Sequence, residues 1–217
     1  MQAQPVLEKG TIGSGKFAMV PSIEIREKRD KGKTADRILT KPGIIAKLEA
    51  IEETPQNTDN HKQLKEAIAN GFNIRDSIDE FEKRFNEARK PETIEIFLSL
   101  IIELELNGYG TKIDTKKVNS LLNEGETQIR YMAIWYKKIK RDNDPKQPFA
   151  NCNAFNLIFN AIFDPDSRIS EIAIAYIKTV ATSENLHNRE LVAQKIEEAK
   201  GQNQMNFDFG EIAPGGI

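Results

Sequence analysis

The stretch DPDSRISEIAIAYIKTVATS, residues 164–183, has the most regular apolar pattern in the chain. Its apolar residues recur at i, i+3, i+4, i+7, i+8 and i+11, which are the positions of Ile169, Ile172, Ala173, Tyr176, Ile177 and Val180. On an α-helix this spacing collects them on one face. Asp164 is predicted to cap the helix, with Pro165 at its first position. The stretch therefore predicts an amphipathic helix with one buried face.

A second copy of this pattern lies 40 residues earlier. ETQIRYMAIWYKK, residues 126–138, aligns with DSRISEIAIAYIK, residues 166–178. The preceding segments keep the same shift, with Val118, Leu121 and Leu122 over Ile158, Ala161 and Ile162. A weaker copy lies 35 residues upstream of the segment 126–138 and includes Ile94, Phe97, Leu98 and Ile101. A period near 40 with two helices per unit indicates stacked helical pairs, although a plain bundle of antiparallel amphipathic helices gives some self-similarity too.

The segment DPDSRISEIAIAYIKTV resembles the second helix of a HEAT repeat, with its Asp-Pro-Asp turn and its small apolar residues. This resemblance covers residues 114–200. It implies a stack of helical pairs that binds other macromolecules and carries out no chemistry.

The rest of the chain fits an all-α architecture of antiparallel helical pairs, either a HEAT-like solenoid or an irregular bundle. Helices are predicted over 43–53, 61–70, 74–89 and 187–200, and residues 92–108 are predicted to form a buried central helix. Residues 1–33 are rich in glycine, proline and charge and are interpreted as a flexible basic arm. The helical core is placed at 34–200 and a C-terminal tail at 201–217.

The arm contains GTIGSGKF, residues 10–17, which matches seven of the eight positions of a phosphate-binding P-loop. Phe17 occupies the position where a Ser or Thr would hold magnesium. Too few apolar residues precede the pattern to form a buried strand, and Pro21 follows where a helix should run. The pattern is therefore interpreted as a glycine-rich arm, and no cofactor is expected.

Composition excludes several classes of protein. The net charge is −2, and the single cysteine, Cys152, rules out an internal disulfide. One cysteine and two histidines, His61 and His187, do not supply a zinc cluster. The longest apolar run, residues 97–102, is far shorter than a membrane span, and the N-terminus lacks an apolar signal segment. A cytoplasmic location is predicted.

Paired carboxylates such as Glu103 and Glu105 do not indicate catalysis. Residues at i and i+2 of a helix point about 200° apart, so the two cannot converge on one substrate. They are expected at a solvated or N–H-bonded rim. Cys152 is expected to be inert, and the sequence offers no catalytic or metal-binding residue.

Two basic clusters are candidate contacts with nucleic acid or an acidic partner. The first lies on the arm and comprises Arg26, Lys28, Arg29, Lys31 and Lys33. The second ends the predicted helix at 126–142 and comprises Lys137, Lys138, Lys140 and Arg141. Both clusters also have a purely structural explanation. Cations at the C-terminal end of a helix interact favourably with the helix dipole, and charged residues on an arm keep a linker solvated. Nearby Tyr131 and Trp135 could stack on bases or pack between helical pairs.

The tail carries Met205, Phe207 and Phe209 in a polar segment, which predicts docking onto a partner, a neighbouring subunit or the chain's own core. The favoured interpretation is a non-enzymatic helical adaptor or scaffold that binds a protein partner, or its own neighbouring subunits, through a groove and its terminal arms. The alternative is a viral coat or nucleocapsid-type subunit that coats nucleic acid and assembles through those arms. The net charge of −2 disfavours the alternative, because a protein that coats nucleic acid usually carries an excess of Lys and Arg. An enzyme ranks third.

Overall fold

The computed structural model describes residues 40–71, 74–144 and 152–201, all within one compact unit that spans Ile38–Ile217. The helices in these ranges are α1 (Lys41–Glu53), α2 (Thr58–Asn70), α3 (Ile78–Glu87), α4 (Pro91–Leu106), α5 (Thr115–Glu124), α6 (Thr127–Asn143), α7 (Cys152–Asn160), α8 (Ser167–Ala181) and α9 (Leu186–Gly201). Short 3₁₀ turns precede α3 at Arg75–Ser77 and follow α7 at Ala161–Phe163. The described ranges contain no strand, so the prediction of an all-α fold is confirmed.

The helices form two rows. Each consecutive pair packs together, namely α1 with α2, α3 with α4, α5 with α6, and α7 with α8. Helices α2, α4, α6 and α8 also pack side by side and are called the even row below. Helices α1, α3, α5 and α7 each pack on their partner in the even row, and α9 packs on α8. One side of the even row is open where α2, α4 and α6 line a groove.

Helix α4 buries apolar residues on several faces, and its sequence is hydrophobic almost all round. Phe97, Leu98, Leu100, Ile101 and Leu104 are each at most 1% exposed, which agrees with the predicted central helix. A helix flanked by neighbours on several sides needs apolar residues on more than one stripe. This explains why α4 lacks the narrow stripe of α8.

Most residues that align at the 40-residue shift have matching environments, although Ile134 is buried and its counterpart Ile174 is half-buried. Ile129, Ala133 and Tyr136 of α6 are buried, as are Ile169, Ala173 and Tyr176 of α8. In α5, Val118, Leu121 and Leu122 are buried, like their counterparts Ile158, Ala161 and Ile162 in α7 and the following turn. The two helical pairs therefore bury equivalent faces.

Capping differs from the sequence prediction at two helix starts. The N-cap of α8 is Asp166, whose side chain accepts a hydrogen bond from Arg168 N at 2.9 Å. Asp164 instead accepts from Asp166 N at 3.0 Å, which forms a turn before the helix. Helix α2 begins at Thr58, three residues earlier than predicted, because Asn57 accepts from Asp59 N at 3.1 Å. A short polar side chain in an apparent loop thus starts each helix.

Other helix boundaries are set by proline and glycine residues or lie close to the predicted positions. Pro42 lies in the first turn of α1, where a missing N–H costs nothing. Gly71 ends α2 with φ +74°, a conformation that a residue with a Cβ rarely adopts. The predicted helix over 74–89 is a 3₁₀ turn followed by α3, which ends at Glu87.

Candidate functional site

A groove of about 550 Å³ crosses α2, α4 and α6 on the open side of the even row. Its walls come from the α1–α2 connection and from one face of each of these three helices. The lining residues are Pro55, Gln56, Thr58, His61, Lys65, Glu92, Glu95, Ile96, Ser99, Ile102, Glu103, Gln128, Tyr131, Met132 and Trp135. This groove is the candidate functional site.

Two aromatic side chains form the apolar part of the groove. Tyr131 and Trp135 lie one turn apart on α6, with ring centroids 6.1 Å apart and planes at 47°. Both rings are half-buried and pack against the core, whereas Met132 and Ile102 beside them are buried. The aromatic pair therefore keeps part of its apolar surface open to the groove, where a ligand can cover it.

Three carboxylates of α4 stand at the edge of the groove. Glu92 and Glu95 are exposed and Glu103 is half-buried. Positions 92, 95, 99 and 103 share one face because their spacing follows the helical period. Lys65 is the only cation among the lining residues. The groove therefore combines an aromatic surface with an acidic rim and favours a ligand that carries positive charge.

A histidine and a serine meet inside the groove. His61 Nε2 on α2 lies 3.3 Å from Ser99 Oγ on α4. Burial, with a smaller contribution from the charge of Lys65, lowers the pKa of His61 to about 4. The imidazole is consequently neutral near pH 7 and forms a weak base. Ser99 lies in the middle of α4, where backbone N–H groups are used within the helix and cannot form an oxyanion hole. The pair is thus better suited to hydrogen bonding with a ligand than to nucleophilic catalysis.

Sequence reasoning missed a buried polar cluster at the end of α4. Glu105 is 2% exposed, and its Oε1 accepts from Thr111 N at 2.5 Å and from Thr111 Oγ1 at 2.6 Å. The same oxygen accepts from Lys140 Nζ at 3.1 Å, and Oε2 accepts from Asn143 Nδ2 at 3.5 Å. Of the two expected positions, the solvated one is therefore wrong for Glu105, which is buried and accepts a backbone N–H. Its carboxylate fastens the α4–α5 connection onto α6.

The second predicted basic cluster is largely engaged inside the protein. Lys138 pairs with Asp142 at 2.5 Å, and Lys140 bonds to Glu105 and to Thr111 O at 3.0 Å. Arg141 is buried and hydrogen-bonded to Tyr176. Lys137 is half-buried, and this burial lowers its pKa to about 8.

The other predicted contacts belong to the two ends of the chain. Arm residues Arg26, Lys28, Arg29, Lys31 and Lys33 lie outside the described residues. The same holds for Met205, Phe207 and Phe209 of the tail, and for the P-loop-like stretch.

A second groove, of about 490 Å³, lies between α5 and α7 on the opposite row. Its lining is mostly amide and hydroxyl side chains, namely Asn119, Ser120, Asn123, Asn153, Asn156 and Asn160, with Lys116 and Leu157. It contains no aromatic ring and no carboxylate among those residues. It therefore differs in chemistry from the groove of the even row.

Two further properties of the described residues bear on the site. No helix among them combines the length and the apolar character needed to cross a bilayer. No group of three or more His, Cys, Asp or Glu side chains in the described ranges is arranged to hold a metal ion.

Comparisons with known proteins give no match. No protein-family model matches the chain, and neither a curated protein nor a solved structure matches it significantly. The chemistry of the groove's own residues is therefore what indicates its function.

Proposed function

We propose that this protein is a non-enzymatic adaptor or scaffold that binds a segment of protein chain in the groove of the even row. The observation that carries the proposal is the half-buried Tyr131–Trp135 pair beside a rim of glutamates, within a groove of about 550 Å³. The resemblance of residues 114–200 to HEAT repeats supports the same function, because stacked helical pairs present long surfaces to macromolecular partners.

The chemistry of the groove defines its ligand. Burying aromatic surface is a main source of binding free energy at protein interfaces, so the ligand needs at least one aliphatic or aromatic side chain. The acidic rim favours Lys or Arg beside this anchor, since complementary charge speeds association and selects partners. His61, Ser99 and Gln128 offer hydrogen bonds to a peptide backbone.

A displayed library of random peptides tests this proposal with the full-length protein as bait. Selection is expected to enrich peptides that place an apolar residue next to Lys or Arg. Glu92→Lys/Glu95→Lys reverses charge at two exposed positions and is expected to weaken the selected peptides about tenfold or more. The matched control is Glu66→Lys/Glu87→Lys, two exposed glutamates outside the groove, which should bind like the wild type.

The proposal fails if no peptide is enriched, or if the groove variant binds the selected peptides as well as the control does. Gel filtration with and without nucleic acid, at low and high salt, tests the coat-protein alternative. A salt-sensitive assembly that carries nucleic acid would replace the proposed function with nucleic-acid coating. Elution free of nucleic acid at both salt concentrations would support the adaptor.

A further inference from the structure

We infer that the groove between α5 and α7 binds a short extended segment of another protein through the backbone of that segment. This groove is called the amide groove below, because amide side chains line both of its walls. The inference goes beyond the proposed function, since the amide groove uses two helices that do not line the groove of the even row. It assigns the protein a second binding site with a different kind of recognition.

The two walls of the amide groove have the same spacing of lining residues. On α5 the lining positions are 116, 119, 120 and 123, and on α7 they are 153, 156, 157 and 160. Both sets follow the pattern i, i+3, i+4 and i+7, which places them on one face of each helix. The two helices pack against each other, so these faces are the walls of one groove. Each wall extends for about 10 Å, at 1.5 Å per residue.

Most amides of these walls have no hydrogen-bond partner in the described part of the chain. They are the side chains of Asn119, Asn123, Asn156 and Asn160. The Oδ1 atom of Asn119 is moreover enclosed by protein without a donor, which lowers stability. Asn119 and Asn156 lie inside their helices, where asparagine is unfavourable because its side chain competes for backbone hydrogen bonds. These amides therefore do little for the fold, as expected of side chains that bind a ligand.

The hydrogen-bonding capacity and the spacing of these amides match an extended backbone. An asparagine side chain donates and accepts hydrogen bonds, as each backbone residue does. In an extended chain, successive residues direct their N–H and C=O to opposite sides, so each wall meets every second residue, at a repeat of about 6.6 Å. Asn119 and Asn123 on α5, like Asn156 and Asn160 on α7, are four residues apart, or about 6 Å along the helix. Both amides of a wall can consequently bond to one chain.

Other classes of ligand fit the lining of the amide groove less well. Nucleobases are usually held by stacking on aromatic rings, and these residues include no ring. Metal ions need carboxylate, imidazole or thiolate ligands, which the lining also lacks. Lys116 is the only charged lining residue and Leu157 the only apolar one, so neither an anion nor an apolar side chain finds a complementary surface. A neutral backbone is the chemistry that remains.

Recognition of backbone predicts which sequences the amide groove accepts. Its walls are long enough for about three residues of an extended chain, at 3.3 Å each. Proline lacks a backbone N–H and is therefore expected to be excluded from the bound positions. Other residues should be tolerated there, because the bonds go to groups that every residue carries. The groove of the even row, by contrast, selects an apolar residue beside a cation.

A displayed library of random peptides tests the inference, with the full-length protein carrying Glu92→Lys/Glu95→Lys as bait. These substitutions reverse the charge at the rim of the other groove and weaken binding there. Adding Asn123→Ala/Asn160→Ala removes one exposed amide from each wall of the amide groove. The enriched peptides are expected to bind this variant about tenfold more weakly or worse.

The matched control is Asn70→Ala/Gln194→Ala in the same bait, which removes two exposed amides outside both grooves. It should bind the enriched peptides as the bait does. Alanine is the most favourable residue in a helix, so neither pair of substitutions is expected to unfold the protein. Circular dichroism of both variants checks this.

Chemical changes to an enriched peptide separate backbone recognition from side-chain recognition. Methylating a backbone nitrogen within the bound residues removes one donor and is expected to weaken binding about tenfold. Replacing the side chain of the same residue by that of alanine should change the affinity less than about threefold, because the side chain makes no required bond.

The inference is overturned if no peptide is enriched on this bait, if Asn123→Ala/Asn160→Ala binds as the control does, or if methylation leaves the affinity unchanged. It is also overturned if Asn123→Ala/Asn160→Ala breaks up an assembly of the bait in sedimentation, because the amide groove would then be an interface between copies of this chain. Peptides that still bind the wild type through Glu92 and Glu95 would, in each case, leave the proposed function intact.

Discussion

Glu103 and Glu105 are two residues apart on α4 but have opposite environments. Glu103 is half-buried and bonds to Asn107 at the helix end, whereas Glu105 is buried and holds four donors from three residues. The helical period predicts that the two diverge, since positions i and i+2 point about 200° apart. It does not predict which side is buried, because that depends on where α6 packs.

Replacing Glu105 by Gln is expected to lower the free energy of unfolding by about 1–3 kcal/mol. The substitution keeps the shape but weakens the acceptor for Thr111 and removes the ion pair with Lys140. Glu103→Gln, in the same helix, should change stability by less than about 0.5 kcal/mol. Urea unfolding followed by Trp135 fluorescence measures both variants. Equal stability of the two would show that the Glu105 cluster is not stabilising.

His61 makes stability depend on pH in a defined window. Its pKa is 6.5 in an unfolded chain and about 4 in the folded protein. Between these values the unfolded state binds a proton that the folded state does not, so this residue lowers stability as the pH falls from 6.5 towards 4. Above 6.5 it has no such effect.

His61→Gln removes this titration and keeps a polar side chain near Ser99. The difference in stability between pH 7 and pH 5 is therefore expected to be smaller for His61→Gln than for the wild type. Urea unfolding at the two pH values measures it. If the two proteins lose stability equally, the imidazole is not desolvated in the folded state.

At the scale of the element, Lys117 of α5 closes the end of α3. Its Nζ donates to Ala88 O at 2.7 Å, to Asn86 O at 3.2 Å and to Phe85 O, and it lies 4.8 Å from the centre of the Phe85 ring. The last carbonyls of a helix have no partner within it, so an ammonium from the next helical pair satisfies them. This contact ties α5 to α3.

Lys117→Met keeps the length of the side chain but leaves these carbonyls without their donor. We expect a loss of about 1–3 kcal/mol in the free energy of unfolding. Lys116→Met, at the exposed neighbouring position, is the control and should change stability by less than about 0.5 kcal/mol. A loss shared by both variants would indicate a general effect of removing charge, not a cap on α3.

The sequence predicted which helices form better than it predicted where each helix begins and ends. Apolar periodicity located α4, α6 and α8 because burial on a helix requires that period. The cap of α8 was assigned to Asp164 because three polar residues, Asp164, Asp166 and Ser167, compete there and only the turn geometry selects Asp166. The groove had no local signal, since His61, Ser99 and Tyr131 are brought together only by the packing of α2, α4 and α6.

At the scale of the whole molecule, the two-row arrangement limits which helices depend on each other. Helix α4 packs on α2, α3 and α6, whereas α9 packs mainly on α8. In stacked helical pairs, stability is close to a sum of each unit and its contacts with its neighbours. Destabilising an end helix should therefore affect only its neighbours, whereas destabilising a central helix should affect all the helices that pack around it.

Two cavity-forming substitutions of similar cost test this expectation. Leu98 in α4 is 0% exposed and Ile196 in α9 is 4% exposed, and truncating either to Ala costs about 2–5 kcal/mol. Amide hydrogen exchange followed by mass spectrometry locates the effect of each. Ile196→Ala is expected to speed exchange in α8 and α9 and to leave α1–α4 at the wild-type rate, because α9 has few contacts beyond α8. Leu98→Ala should speed exchange in every described helix. If Ile196→Ala accelerated α1–α4 as much as α9, the described core would unfold as one cooperative unit instead of helix pair by helix pair.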